Sequence, residues 1–459
     1  MKVTCQCLPT KFLIVGSGGR ESAFAEMLSK DTCLFAVMPH KNQTIIDCIK
    51  RSGGRYLIGD PADPDTVTDF AREMSIDYAF VNSDEPLANG VVDLLVENGF
   101  RAVGGTKDAA RIEWDKIYSI EMMERLCPEF TPRFAVVTKK DQIEQAVSWF
   151  KSEGLEMAVK PQGLTGGKGV KVMPDHLSTY EDCAHYIAEL LEKNPHQGVL
   201  LVEKLYGIEF TIMGITDGKT LVMSPASYDY PFRYEDDCGP GTGGMGCFTG
   251  TVKKLPFMTD ADFGDCERIM QRVIDDMRNR GLLFRGVING GFFKTGHGIK
   301  FMEFNSRFGD PEALNIMNVL DGSFSKLIVS LWDGTLSKDI AFAKKASVVK
   351  YLVAPEYPSA SKDSIIFKVD EQALKQLGVK MYLASCIKKE GQYETLKKSR
   401  AVAFVAVSDS IEDASLLVDE AIDSHVKASG LEYRRDIGSK TNLEKLQKIA
   451  AKLDCQSCF

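Results

Sequence analysis

Ala158-Val159-Lys160-Pro161-Gln162-Gly163-Leu164-Thr165-Gly166-Gly167-Lys168-Gly169-Val170 is the stretch on which the reading of the fold turns. Four glycines within residues 163–169 separate an apolar strand from a second short strand at Lys171–Met173. A loop without Cβ atoms brings backbone N–H groups close to a polyphosphate. Lys160 ends the incoming strand and Lys168 sits inside the loop, so both are candidates to neutralise phosphate oxygens. Gly169 stands where a Walker A loop needs Ser or Thr, which excludes that loop. The competing reading is a hairpin with a purely structural turn.

Outward from this loop, Phe134–Val137, a helix over Asp141–Lys151, strand Met157–Lys160, a helix over Ser178–Glu192 and strand Val199–Glu203 make one small unit. A larger one follows, with Glu209–Thr216, Leu221–Tyr228, a helix near Asp262–Arg280, and the strand pair Gly286–Lys294 and Gly298–Asn305. On a strand, Glu303, Asn305 and Arg307 share one face because side chains alternate with period two. A carboxylate beside an amide oxygen suits a hard cation such as Mg²⁺. Arg307 beside them is suited to a transferring phosphoryl or acyl-phosphate group. Asp310-Pro311-Glu312 reads as N-cap, first helical residue and first-turn acid. Cys238–Gly246 carries five glycines and reads as a structureless loop of functional length.

Residues 1–115 alternate strands (Phe12–Val15, Leu34–Val37, Tyr78–Val81) with helices (Glu21–Ser29, Asp65–Met74, Leu87–Glu97). That alternation gives a parallel sheet with ligands at the carboxyl ends of its strands. Gly16-Ser17-Gly18-Gly19 is the turn after the first strand, a natural phosphate holder. It fails as a dinucleotide fingerprint: Glu21 replaces the third glycine, and Met38-Pro39 offers no acid for a ribose. The last segment is again α/β, with Val348–Val353, Lys380–Ile387, Ala401–Val407 and a helix over Ile411–Ala428. The fold class is therefore α/β. An N-terminal open parallel domain spans 1–115, a small subdomain 116–200, a larger one 201–334, and a small C-terminal α/β domain 335–459.

Composition closes off other classes. The chain has 459 residues, 44% hydrophobic and 26% charged, which is a globular balance. Its net charge of −8 argues against nucleic acid as a partner. The longest run free of Asp, Glu, Lys and Arg is Cys238–Val252, too short and glycine-rich to span a membrane. The start, Met1–Thr10, has no apolar core of signal-peptide length. Six histidines lack ligand spacing, and only Cys5/Cys7 and Cys455/Cys458 among twelve cysteines lie close together. The expectation is a reduced, cytoplasmic protein.

In this order, the segments resemble the glycinamide ribonucleotide synthetase family (phosphoribosylamine–glycine ligases), ATP-grasp enzymes of purine biosynthesis. The resemblance runs from Lys11 to Gly438. It rests on Gly18-Gly19-Arg20-Glu21, Asp84-Glu85-Pro86-Leu87, Thr106-Lys107, the Gly163–Gly169 loop, Thr242-Gly243-Gly244-Met245-Gly246, the decapeptide Glu303–Glu312, and Arg435-Asp436-Ile437-Gly438.

The resemblance implies a two-lobed ATP-grasp core, with 116–200 as the lid and 201–334 carrying the metal site. It implies that Lys116, Lys160, Gly163, Gly166, Gly167, Lys168 and Gly169 meet the phosphates of ATP. Glu203, Lys204 and Leu205 would meet adenine, and Glu209 the ribose hydroxyls. Glu303 and Asn305 would ligate Mg²⁺ or Mn²⁺, and Lys160 and Arg307 would act in catalysis. Gly18, Gly19, Arg20, Glu21, Asp84, Asp229, Gly243, Gly244, Met245 and Arg307 would face phosphoribosylamine and glycine, with Arg434 or Arg435 for the 5-phosphate. The implied reaction forms glycyl phosphate and then glycinamide ribonucleotide, in a monomer or weak homodimer.

The chain departs from the family pattern at Ser22, where many members have His. Ile208 stands in place of an acid and Pro231 where many carry Lys. Gly291 stands where related enzymes often add a metal ligand. Three other readings compete: another ATP-grasp carboxylate–amine ligase, a dinucleotide-dependent oxidoreductase, and an inactive nucleotide-binding protein. The missing third glycine opposes the second, and the retained Glu303, Asn305, Arg307, Lys160 and Lys168 oppose the third.

Overall fold

The structure is a computed structural model that describes residues 9–164, 169–282 and 284–456. Gly166, Gly167 and Lys168, and Cys5, Cys7 and Cys458, lie outside the described residues. Lys11–Val15, Cys33–Met38 and Tyr78–Val81 are nearly unbroken apolar runs, buried on both faces. Such strands suit a parallel sheet covered by helices. With Tyr56–Ile58 and Arg101–Val103 they form a five-stranded parallel sheet in the order third, second, first, fourth, fifth. The order reverses between the first and fourth strands. The turn at 16–18 and the segment at 82–84 therefore leave from one switch-point crevice.

The small unit is a four-stranded antiparallel sheet: Phe134–Val137, Val199–Glu203, Met157–Pro161, Lys171–Val172. Helices Ile143–Ser152 and Tyr180–Lys193 pack on it around Phe150, Ile187 and Leu191. The 158–170 glycine loop joins two paired strands of this sheet.

A nine-stranded antiparallel sheet makes up the large unit, and it does not stop at residue 334. Gly298–Asn305, Gly286–Thr295, Gly207–Thr216, Ser227–Asp229 and Gly246–Thr249 continue directly into Ala346–Leu352, Val402–Ser408 and Lys380–Leu383. The expected separate domain at 335–459 thus shares its sheet with the core. Local alternation marks strands but does not say which edge they join.

Two predicted strands are each broken in two. Leu221–Tyr228 divides into Leu221–Met223 and Ser227–Asp229 at Pro225, which has no N–H for a ladder. Lys380–Ile387 divides into Lys380–Leu383 and Cys386–Lys389, which lie in different sheets. The 238–246 segment is not wholly structureless: Cys238–Gly241 pairs with Phe232–Tyr234. A helix the sequence reading did not anticipate, Lys440–Gln456, packs on Gly207–Thr216 and Gly286–Thr295. Among the described residues no helix is long and apolar enough to cross a membrane.

Candidate active site

One face of the large sheet carries the candidate residues. In register across three strands, Thr211 opposes Gly291 and Gly291 opposes Glu303, while Asn289 opposes Asn305. Gly291 pairs with Glu303 but Phe292 pairs with Phe301, so Met302 is an extra, bulged residue. Such a bulge re-aims side chains, and here both Met302 and Glu303 line the cleft. A Cβ on Gly291 would lie 2.6 Å from Met302 Cε. An acid at 291 would therefore have to displace the flexible end of Met302.

The sheet face opens into a cleft of about 560 Å³, which adjoins a second cavity of about 680 Å³ and shares Lys160, Val170 and Glu209 with it as lining. Lys160, on strand Met157–Pro161, borders both. Lys116 begins helix Lys116–Leu126, which Asp115 caps; its ammonium donates to Gly163 O at 2.8 Å. Burial pushes the Lys116 ammonium below its ordinary range, against the opposing pull of Glu303. Glu203, Lys204 and Leu205 line the second cavity. The Glu203 carboxylate is held by Arg133, at 2.9 Å to N and 3.0 Å to Nε.

Arg307 is seated by a residue that the sequence reading missed. Glu113, on helix Arg111–Trp114, faces Arg307 Nε at 3.1 Å and accepts from Ser306 N and Oγ at 2.9 and 2.8 Å. Burial raises the Glu113 carboxyl, with Arg307 opposing. Asp84 is raised by burial but lowered more by Arg307 and Arg20, and ends below the usual carboxylate range. Arg20 donates to Glu21 (2.8 Å), Phe308 O (2.8 Å) and Ser83 Oγ (3.1 Å), which fixes the N-terminal turn against the decapeptide. Gly18 N donates to Glu21 Oε2 at 2.8 Å, closing that turn. Gly19 packs against Tyr351, where a Cβ would fall 2.2 Å from the hydroxyl.

Asp229 and Glu312 sit side by side in the wall, and each is raised by burial and by the charges around it. Asp229 Oδ1 is buried without a hydrogen-bond partner, and so is Asn289 Oδ1. Gly244 has φ +93° and would place a Cβ 2.6 Å from Asp229 Oδ1, so only glycine lets the loop approach that carboxyl.

A second missed residue fixes the loop. Arg400, from the C-terminal region, donates to Gly243 O, to Gly244 O at 2.9 Å and to Asp310 O at 3.0 Å. It also pairs with the Asp310 carboxylate at 3.1 Å. Asp310 is therefore an ion-pair partner, not the expected N-cap; the helix starts at Glu312 behind Pro311. No sequence signal marks Glu113 or Arg400, because their partners lie 193 and 157 residues away.

Of the expected substrate residues, Arg20, Asp84, Asp229, Gly243 and Arg307 line the cleft, whereas Gly18, Gly19, Glu21, Gly244, Met245 and Arg434 do not. Met245 is fully buried and contributes only backbone, accepting from Tyr351 N at 2.9 Å. Arg434 is 1% exposed, paired with Asp436 (2.5 Å) and Asp237 (3.0 Å) and stacked over Tyr230. Its Nε and Nη2 are taken by these carboxylates and its Nη1 donates to Phe232 O at 2.9 Å, so Arg434 is held as a structural ion pair away from the cleft. Arg435 is tied to Asp423 at 2.7 Å. Arg434→Met is expected to cost about 3 kcal/mol of stability, in line with a broken buried pair. It should leave the KM of each substrate within twofold. A selective rise in the KM of the phosphorylated substrate would restore its binding role.

Ser22 also lies away from the cleft, donating to Leu383 O at 2.7 Å, whereas Pro231 and Ile208 border the cavities.

Glu209 is pushed up to about 7 by burial first and by Glu303 second. A carboxyl raised on folding stabilises the fold below its unfolded value, and that contribution is lost as pH rises through about 7. The ligand-free protein should therefore lose thermal stability between pH 5 and pH 8, and Glu209→Gln should flatten this slope. An unchanged slope in the variant would contradict it.

Among the described residues no three His, Cys, Asp or Glu side chains converge as a ready metal cage. The described lining of the first cavity holds seven carboxyls against five cationic side chains. Glu303 and Asn305 supply hard oxygen ligands on that face. This donor set fits a divalent cation whose remaining ligands come from phosphate oxygens.

Comparison with known proteins matches three family models in series. The phosphoribosylglycinamide synthetase N domain matches over residues 10–113, its ATP-grasp (A) domain over 115–313, and its C domain over 347–440. The phosphoribosylamine–glycine ligase of Methanopyrus kandleri is 37% identical over 443 residues, covering 95% of this chain and 97% of that one. That of Pyrococcus horikoshii is 37% identical over 444 residues, covering 96% and 98%. Among solved structures, the phosphoribosylamine–glycine ligase of Thermotoga maritima aligns with a TM-score of 0.76 at 24% identity, covering 93% and 100%. The biotin carboxylase domain of Hydrogenobacter thermophilus 2-oxoglutarate carboxylase, solved with MgADP, aligns at 0.68 and 16% identity, covering 98% and 96%. At those identities the solved structures speak for the fold.

Proposed function

The chain belongs to the phosphoribosylglycinamide synthetase family, and on that footing we propose how its cleft carries out the ATP-dependent ligation of glycine to 5-phosphoribosylamine. The products are glycinamide ribonucleotide, ADP and phosphate, in purine biosynthesis. The observation that carries the reading is one cleft lined by Glu303, Asn305 and Arg307 on the sheet face and by Lys116 and Lys160 opposite, with a second cavity adjoining it at Lys160 and Glu209.

ATP lies with its base at Glu203–Leu205 and its ribose at Glu209. Lys116, Lys160 and the backbone at Gly163 and Gly169 hold its phosphates, and the same reading places Gly166, Gly167 and Lys168 there. Glu303 and Asn305 hold Mg²⁺ or Mn²⁺, which supplies charge neutralisation to the phosphoryl oxygens. Glycine's carboxylate faces Arg307. Its ammonium meets Asp229 and Glu312, where an unpartnered carboxylate oxygen needs an N–H donor. Asp84, Arg20 and the Gly18–Glu21 and Gly243–Gly244 backbones face phosphoribosylamine. Arg400 keeps the latter loop in place.

A glycine carboxylate oxygen attacks the γ-phosphorus, and the bond to the β–γ bridging oxygen breaks as ADP leaves. The amine of phosphoribosylamine then attacks the glycyl carbonyl, the C–O bond to phosphate breaks, and the amine proton passes to phosphate or solvent. Lys116, Lys160 and Arg307 spread charge along both steps, so positioning and electrostatics carry the catalysis. The reading takes the enzyme to be a cytoplasmic monomer or weak homodimer.

Glycine labelled with ¹⁸O in its carboxylate tests the route. One labelled oxygen should appear in the released phosphate; unlabelled phosphate would rule out glycyl phosphate.

A further inference from the structure

We propose that helix Lys440–Gln456 forms the outer wall of the nucleotide cavity and sets the affinity for ATP, an inference that rests on the nucleotide reading above. The helix begins where the matched C domain ends, at residue 440. Asn442, Lys445, Leu446 and Ile449 recur at the helical spacing of one face. All four line the 680 Å³ cavity whose other walls include Ala158, Val172 and Glu203–Leu205.

The helix is fastened at both ends. At its start, Tyr230 Oη donates to Asn442 Oδ1 at 2.7 Å and accepts from Gly438 N at 3.0 Å. Near its end, Asp454 pairs at 2.9 Å with Lys294, a buried lysine on Gly286–Thr295 that also holds Asp262 at 2.8 Å. A surface helix that only covered the sheet would not require a buried cation to pin its last turn. Tyr230 follows Asp229 in sequence, so the first tie joins the helix to the wall of the reaction cleft.

The wall has the chemistry of a nucleotide contact. Leu446 is buried and Ile449 half-buried, which gives an apolar surface for a heterocycle or ribose edge. Lys445 is 46% exposed and lies 3.5 Å from the exposed Asp236. The cavity lining carries five carboxyls against three lysines, of which Lys445 is one. For an anionic ligand, reversing that one charge is therefore a large relative change.

The test uses the full chain with Lys445→Glu, Lys445→Arg and Ile449→Asp. It measures equilibrium binding of ATP with Mg²⁺, KM for ATP and for glycine, and Tm. Lys445→Glu and Ile449→Asp should each weaken ATP binding about fivefold or more, with KM for glycine within twofold. Lys445→Arg should bind as the unaltered protein does. Should Ile449→Asp fail to fold, the exposed Lys445→Glu decides alone. ATP binding within twofold in a folded Lys445→Glu protein would overturn the inference, as would equal shifts in both KM values accompanied by a lowered Tm. Absence of ATP binding by the unaltered chain would instead sink the nucleotide reading itself.

Discussion

Replacing Glu303 by alanine is expected to lower kcat by about a thousandfold or more, roughly 4 kcal/mol of transition-state stabilisation. The argument starts from the charge balance of the cleft. Carboxyls outnumber cationic side chains in its described lining, yet its proposed substrates bring phosphates and a carboxylate. A divalent cation resolves that conflict, and Glu303 is the charged half of the pair that would hold it. Its position depends on the bulge at Met302 and on backbone pairing to Gly291, not on its own side-chain contacts. The variant should therefore fold with an unchanged Tm. Near-normal turnover in a folded Glu303→Ala protein would refute the metal role.

Arg307→Ala is expected to lower kcat by about a thousandfold, with a smaller change in KM for ATP. Arg307 lines the cleft beside both Asn305 and Glu113. Its loss also strands Glu113, a buried carboxyl already raised by burial. Without its partner that carboxyl rises further. The variant should then be less stable at pH 8 than at pH 6 relative to the unaltered chain, because stability is lost as pH rises through the raised value. Double replacement, Arg307→Ala with Glu113→Gln, should recover stability but not activity. Recovery of activity together with stability would show Arg307 to be a structural residue only.

What the sequence made legible follows from the range of the forces involved. The parallel strands at 11–15, 33–38 and 78–81 are apolar runs whose burial on both faces is written in their own composition. That Glu303 and Asn305 share one face is legible because strand alternation is local. The break at Pro225 is written in the sequence as a residue that cannot join a ladder. Glu113, Arg400 and the Lys440–Gln456 wall were not legible. Each is an ordinary charged residue or amphipathic turn whose meaning comes from partners far along the chain. Arg434, which the resemblance implies for the 5-phosphate, is held instead by Asp436 two residues on and by Asp237, 197 residues away. The continuation of one sheet from Gly246–Thr249 into Ala346–Leu352 is equally non-local.

The most direct measurement is ADP release from ATP by the purified chain with each component omitted in turn. Turnover is expected only when glycine, phosphoribosylamine and a divalent cation are present together, with glycinamide ribonucleotide formed in step with ADP. Equal turnover with another amino acid in place of glycine, or ADP release independent of phosphoribosylamine, would contradict the assignment.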